Sequence, residues 1–209
     1  MARRQGRGGL RAWLRALTVV LLLVPLVASC YVPDDFLAEV RINRAGEFGL
    51  TYKGTLTWAP LWRGIRRGEL TEAEIAEKVE NIRRDLVRYP GFETVEHEGA
   101  GRFRVFYQTS GRVDGDESYY FLRSNARVIA IISRADGLLV VRTHGISDEN
   151  KEHLLAAGMD TRGKMRVVTN NDVIQHNAQN RQDGPNGFVY YDWVIRSLTD
   201  EAPRIVMAR

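Results

Sequence analysis

The chain has 209 residues, with 30 lysines and arginines against 26 aspartates and glutamates, and a formal net charge of +4. Five of the arginines precede residue 30, and without them 25 basic and 26 acidic residues remain, which leaves the rest of the chain close to neutral at −1. Such a balance gives no overall attraction to nucleic acid, so we expect no nucleic-acid partner.

The first 29 residues have the composition of an export signal. They begin with arginines and contain no acidic residue, and an apolar run follows over residues 17–27. That run is shorter than the roughly 20 residues needed to span a bilayer as a helix, and it has the length of a signal-peptide core. The sequence therefore predicts that residues 1–29 are a cleaved signal peptide.

Cys30 is the expected lipidation site. Residues 27–30, Val-Ala-Ser-Cys, resemble the lipobox of bacterial lipoproteins, in which the chain is cut before a cysteine that carries diacylglycerol. Since Cys30 is the only cysteine, the chain forms no internal disulfide, although an exported domain could use one. The alternatives are an ordinary secretory signal and an uncleaved N-terminal anchor.

This anchor predicts a location in the cell envelope. With two membranes, the periplasmic face of the outer membrane is expected, because Tyr31 stands where an aspartate commonly retains lipoproteins at the inner membrane. In other envelopes the anchor would leave the domain on the outer face of the cytoplasmic membrane. Residues 30–35 are predicted to be the lipidated cysteine and a short tether, and residues 36–209 a single domain.

The domain opens with a predicted hairpin. Phe36 to Ile42 and Phe48 to Trp58 place apolar side chains at a spacing of two, and turn residues 43–46 separate them. An irregular stretch is predicted over residues 59–69. Thr71 and Glu74 then form a capping box for an amphipathic helix with an apolar stripe at Ile75, Val79, Ile82 and Leu86.

Strands dominate the remainder. They are predicted over residues 92–97, 103–109, 119–122, 128–132, 138–141, 164–169, 187–195 and 204–207. A second, short helix is predicted from a Ser147 cap to about Ala157, with Gly158 beyond its end. The pattern predicts an α+β fold, a mostly antiparallel sheet or sandwich with one good amphipathic helix and one short helix.

The C-terminal part resembles lipoproteins of the mycobacterial LppM kind. The resemblance is carried by layout and by a weak motif in residues 163–178 and 191–195, which contain Asn170, Asn171, Asn177 and Trp193. It implies an envelope-surface lipoprotein and assigns no catalytic residue.

Candidate chemical groups are sparse. His153 near Asp148 and Glu149 has no metal-ligand spacing, and residues 114–117 match a polar hairpin tip as well as a calcium loop. His144 lies close to Ser147 without a nucleophile-elbow motif, and Ser147 is better explained as a helix cap. We therefore predict no catalytic residue, no metal site and no cofactor, with enzymatic activity left uncertain.

The most distinctive surface feature is aromatic and basic. We name as a candidate interaction surface the set Trp58, Trp62, Arg63, Arg66 and Arg67. Tryptophan combined with arginine is typical of membrane-interface and protein-docking contacts. The competing interpretation is structural, since Trp58 continues a buried strand face and Trp62 could cover the helix.

The leading hypothesis is a non-enzymatic envelope lipoprotein. It would be held in the membrane by diacylglycerol on Cys30, and it would bind an apolar or glycolipid ligand, or an envelope protein, between sheet and helix. One alternative is a periplasmic hydrolase, which loss of an activity in His144→Ala would favour. The other is a purely structural scaffold, which predicts a protein partner and no ligand pocket.

Overall fold

The structure, a computed structural model, describes residues 31–123 and 126–209. These residues form twelve strands, three α-helices and a short 3-10 turn. The strands are β1 (Tyr31–Ile42), β2 (Glu47–Trp58), β3 (Phe92–Gly99), β4 (Arg102–Arg112), β5 (Ser118–Arg123), β6 (Ala126–Ser133), β7 (Leu138–Thr143), β8 (Gly163–Thr169), β9 (Asp172–His176), β10 (Asn180–Asp183), β11 (Val189–Ile195) and β12 (Arg204–Ala208). The helices are α1 (Ala59–Arg66), α2 (Glu72–Val87) and α3 (Asp148–Ala156), and the 3-10 turn is Pro185–Gly187.

The strands form two sheets. A seven-stranded sheet has the order β10-β11-β8-β1-β2-β4-β3, and a five-stranded sheet has the order β5-β6-β7-β12-β9. Every pairing is antiparallel except that of β1 with β8, in which Phe36 to Ile42 run parallel to Gly163 to Thr169. The α+β class with mostly antiparallel sheet is confirmed.

The two sheets pack face to face around one main core. Tyr52 of β2 and Phe121 of β5 are both fully buried, and their ring centroids lie 4.9 Å apart across the interface. Phe36 stacks on Tyr52 at 5.6 Å. The alternation of apolar side chains along β1 and β2 therefore buries one face of each strand, as the sequence pattern predicts.

Helix α2 closes one side of the sandwich. Its capping box is present, with the Glu74 backbone N–H donating to Thr71 Oγ1 at 3.3 Å and the Thr71 N–H donating to Glu74 Oε2 at 2.8 Å. Ile82 and Leu86 enter the main core. Asp85 on the same helix pairs with Arg123 of β5 at 2.5 Å, so α2 joins the edge of the second sheet.

The structure corrects the prediction for residues 59–69, which contain a helix instead of irregular chain. Pro60 lies in the first turn of α1, where a missing backbone N–H costs no hydrogen bond. Gly64 is buried, and a Cβ there would lie 2.8 Å from Leu70 Cδ1, so the glycine permits close packing. Gly68 follows the helix with φ +65°, a conformation that suits glycine after a helix end.

The predicted tether is also corrected. Strand β1 begins at Tyr31, and Tyr31 to Asp34 pair with Trp58 to Thr55 of β2. Tyr31 and Val32 are buried. The alternation fails at Asp35 and Phe36, because the register shifts between Asp34 and Leu37, and this irregularity hid the first part of the strand from the sequence pattern.

Two further strands, β9 and β10, are absent from the sequence prediction. Both are short edge strands of largely polar composition, and β10 is exposed throughout. Edge strands of this kind show no clear apolar alternation, because little of their side-chain surface is buried. Ser147 does precede α3 as its N-cap residue, yet its side chain makes no capping hydrogen bond.

Candidate functional site

An apolar cavity of about 580 Å³ lies between the two sheets, at the end where β1 begins. One wall comes from β1 and β11 of the larger sheet, and the facing wall comes from β6 of the smaller one. Residues 143–146, α3 and the loop 197–203 complete it. The residues that line it include Tyr31, Pro33, Phe36, Val128, Ile129, His144, Lys151, Ile195, Ser197 and Ala202.

The walls of the cavity are aromatic and aliphatic. Tyr31 and Phe36 from β1, Ile129 from β6 and Ile195 from β11 are each buried. These side chains give the cavity a mostly apolar surface. Covering such a surface with an apolar group removes it from water, which is favourable.

Charged and polar side chains lie at the rim. Lys151 on α3 is paired with Asp148 at 2.9 Å, and Asp200 and Glu201 lie exposed on the opposite loop. The pKa of His144 lies below its ordinary value, first because of desolvation and then because of the nearby charges of Arg127 and Arg142. The cavity thus joins an apolar interior to a polar opening.

Hydrogen bonds hold the loops that shape the cavity. The Thr161 hydroxyl donates to the Pro33 carbonyl at 2.5 Å, which ties the segment before β8 to β1. Asp160 Oδ1 accepts from the Thr161 N–H at 2.8 Å and from the Leu198 N–H at 2.7 Å. These contacts fix two cavity-forming segments to one carboxylate.

Asn177 fixes the far end of the same loop. Its Nδ2 donates to the Ala202 carbonyl at 2.9 Å. Its Oδ1 accepts from Trp193 Nε1 at 2.8 Å and from the Arg204 backbone N–H at 2.8 Å. Asn177 and Trp193, which the sequence picked out only as parts of a weak motif, therefore meet next to the cavity wall.

Tyr31 is held firmly in the wall. Its ring packs edge-on against Trp58 with centroids 5.5 Å apart, and its hydroxyl is buried without a hydrogen-bond partner among the described residues. Burial raises the pKa of Tyr31 to about 12, although the neighbouring Arg123 guanidinium acts in the opposite direction. The first residue after Cys30 is thus a fixed, neutral part of the cavity wall.

The residues of the candidate interaction surface differ in burial: the two tryptophans pack against the domain, and two of the arginines are exposed. Trp58 and Trp62 are both half-buried, and Trp62 Nε1 donates to the Ala157 carbonyl at 3.0 Å, which connects α1 to the end of α3. The Arg66 guanidinium lies 5.6 Å from the centre of the Trp62 ring. Arg67 pairs with Glu69 at 3.6 Å.

Within this set, the indoles pack against the domain, and Arg66 and Arg67 remain exposed while Arg63 is half-buried. A docking role for Trp58, Trp62, Arg63, Arg66 and Arg67 stays a prediction. Cys30 lies outside the described residues, directly before β1.

The other candidate groups have structural roles. Asp114 pairs with Arg209 at 2.6 Å and Arg112 at 3.4 Å, and its backbone N–H donates to Glu117 at 3.2 Å, so the carboxylates of Asp114 and Glu117 already have partners. His153 lies exposed, 4.0 Å from Glu149. Residues 31–123 and 126–209 contain no group of three or more His, Cys, Asp or Glu side chains placed to hold a metal ion.

Among solved structures, the chain is similar to the folded domain of LppM from Mycobacterium tuberculosis, determined by NMR. The two share 10% identity with a TM-score of 0.34, over 87% of this chain and 90% of that one. No protein-family model matches the chain, and no curated protein matches its sequence. At this identity and TM-score the likeness assigns neither a ligand nor a functional residue.

No helix in the described ranges is long and apolar enough to cross a bilayer. The sequence predicts an apolar ligand site between sheet and helix, whereas the cavity lies between the two sheets, and among its lining residues only His144 is a candidate chemical group in the sequence. Its walls come from β1, β6, β11, α3 and two loops, which are spread from residue 31 to residue 203. No local motif marks such a site.

Proposed function

We propose that this domain binds a lipid-like apolar molecule in the cavity between its sheets, while Cys30 anchors it in the cell envelope. The observation that supports this most directly is the cavity of about 580 Å³ with its aromatic and aliphatic walls. Ligand cavities for small molecules commonly measure roughly 300–1,000 Å³ and are mostly apolar with a few polar groups. The alternative of a purely structural scaffold predicts no ligand pocket.

The energetics favour an amphiphile with one acyl chain. Each methylene group removed from water contributes roughly 0.8 kcal/mol, so a chain that lies along Phe36, Ile129 and Ile195 gains substantially from burial. The polar end of the molecule would remain at the rim beside Lys151 and His144. A fully polar ligand would leave these apolar walls without suitable contacts.

Fluorescence titration tests the proposal. N-phenyl-1-naphthylamine brightens in apolar surroundings, and we expect saturable one-to-one binding that palmitate displaces. Ala202→Trp places an indole at the cavity wall and should weaken binding by about tenfold or more, equivalent to about 1.4 kcal/mol. Ser197→Trp provides a second obstruction from the same loop.

The matched control is Gln182→Trp, which adds the same side chain on the exposed strand β10, away from the cavity. It should bind the probe like the unmodified protein. Equal binding by all variants, with folding confirmed by circular dichroism, would refute the cavity as the binding site.

A hydrolase is the second candidate, supported by the position of His144 at the cavity rim and its lowered pKa. A neutral imidazole beside a bound ester could accept a proton from water. Turnover of p-nitrophenyl esters that disappears in His144→Ala, while probe binding is retained, would favour this activity over binding alone.

A further inference from the structure

We infer that the cavity receives one acyl chain of the protein's own anchor, carried by Cys30. This inference rests on the proposed function, and it identifies the occupant as part of the same molecule. The remaining chain of the diacylglycerol would stay in the membrane.

The adjacency of Cys30 and Tyr31 in the sequence supports an anchor chain as the occupant of the cavity. Tyr31 lines the cavity, and Cys30 is the residue that precedes it in the sequence. Tyr31 is already paired with Trp58 in the sheet and buried in the wall. Because residue 31 already belongs to the wall, a lipid on Cys30 would be attached one residue from the cavity.

The start of β1, which has no partner on its β8 side, also supports the insertion of an anchor chain into the cavity. Strand β8 begins opposite Phe36, so the first five residues of β1 extend beyond their parallel neighbour. Pro33 and Thr161 line the cavity in the gap this leaves. A chain that starts at Cys30 thus has cavity-lining residues along the segment of β1 that follows it.

Linkage makes the anchor a strong competitor for the site. A ligand attached next to its site is present at a high effective concentration, whereas a free lipid must reach the cavity from the bilayer. Since the cavity size suits one small molecule, one chain fills it. A single chain left in the membrane gives only marginal, reversible binding. Insertion into the cavity would therefore loosen the hold of the domain on the membrane.

Photo-cross-linking in membranes tests the inference directly. The full chain is produced in a lipoprotein-processing bacterial host fed with a diazirine-bearing palmitate, which enters the acyl chains attached to Cys30. After irradiation, peptide mass spectrometry should find intrachain cross-links from Cys30 to Val128, Ile129 or Ile195. Ala202→Trp and Ser197→Trp should reduce these cross-links severalfold, and Gln182→Trp should not.

The free diazirine fatty acid, added to purified full-length Cys30→Ser protein, separates the two proposals. Labelling of the cavity by the free acid, together with anchor chains that cross-link only to membrane lipid, would overturn self-insertion and leave the binding function intact. An unmodified Cys30 would overturn it equally. Absence of cavity labelling in both experiments would overturn both proposals.

Discussion

At the scale of single residues, Asn177 joins three segments through one amide. It accepts hydrogen bonds from the Trp193 indole and the Arg204 backbone, and it donates to the Ala202 carbonyl beside the cavity. Trp193 is only 2% exposed, so its indole lies almost wholly away from solvent. The resemblance motif contained both residues, but only the fold shows that they bind each other.

We expect Asn177→Ala to destabilise the domain by about 1–3 kcal/mol, because it leaves the buried indole N–H of Trp193 unpaired. Urea unfolding measures this change. Asn180→Ala is the control, since Asn180 is exposed and its side chain donates to Asp192 Oδ2 at 3.3 Å; such surface changes usually stay within about 0.5 kcal/mol. Equal unfolding midpoints for the two variants would contradict the assigned role.

His144 should make stability depend on pH. Its folded-state pKa lies below the ordinary 6.5, because desolvation and then the charges of Arg127 and Arg142 disfavour the protonated form. The unfolded chain therefore binds more protons as the pH falls below that value, and the folded state loses stability through this window. His97, whose pKa burial also lowers, contributes in the same direction.

We expect the urea concentration at the unfolding midpoint to be lower at about pH 5.5 than at about pH 7.5, two values on either side of the ordinary histidine pKa. His144→Gln, which cannot protonate, should show a smaller fall at the same ionic strength. If the two proteins lose the same stability over this interval, His144 is not a source of the pH dependence.

At the scale of elements, β1 is positioned by close packing around Phe36. A Cβ added at Gly54 of β2 would lie 2.5 Å from Phe36 Cβ and 2.6 Å from its Cα. One added at Gly163 of β8 would lie 2.4 Å from the Phe36 ring. The two strands that flank β1 therefore each carry a glycine against the same side chain, and this seats Phe36 in the cavity wall.

Gly54→Ala should cost about 1–3 kcal/mol, because the new methyl group meets backbone and Cβ atoms that cannot move aside easily. Thermal unfolding followed by circular dichroism provides the measurement. Gly145→Ala is the matched control, since nothing lies within 4 Å of a Cβ at that position. A melting temperature for Gly54→Ala equal to that of the control would show that β1 can shift without cost.

Helix α3 is attached differently from the strands. It buries only Leu154, in a small cluster with Val32, Ala59, Met159 and Leu198 that is separate from the main core. Trp62 supplies the hydrogen bond from α1 to its C-terminal end. With few buried contacts, α3 is expected to open at lower free energy than the sheets, and it carries Lys151 at the rim.

At the scale of the whole molecule, the cavity exists because two sheets of different extent face each other. The main core between the sheets is filled by rings such as Tyr52 and Phe121, whose centroids lie 4.9 Å apart. Strand β8 begins only opposite Phe36, so residues 31–35 of β1 have no β8 partner, and loops lie there instead. The cavity therefore lies at the end of the sandwich where Tyr31 and the predicted anchor also lie.

The sequence by itself determined the near-neutral charge of the chain after residue 29, the capping box of α2 and the alternation along β1 and β2. These features depend on residues close together in the chain, so local pattern reveals them. For His144, the sequence showed only that a side chain able to exchange protons is present, and not where it lies in the fold.

Only the tertiary structure decided the strand order, the parallel pairing of β1 with β8, the start of β1 at Tyr31 and the cavity. Each depends on contacts between distant residues, such as Phe36 with Gly163 and Asn177 with Trp193. Burial and hydrogen bonding select such partners in three dimensions, and no spacing along the chain records which residues will meet.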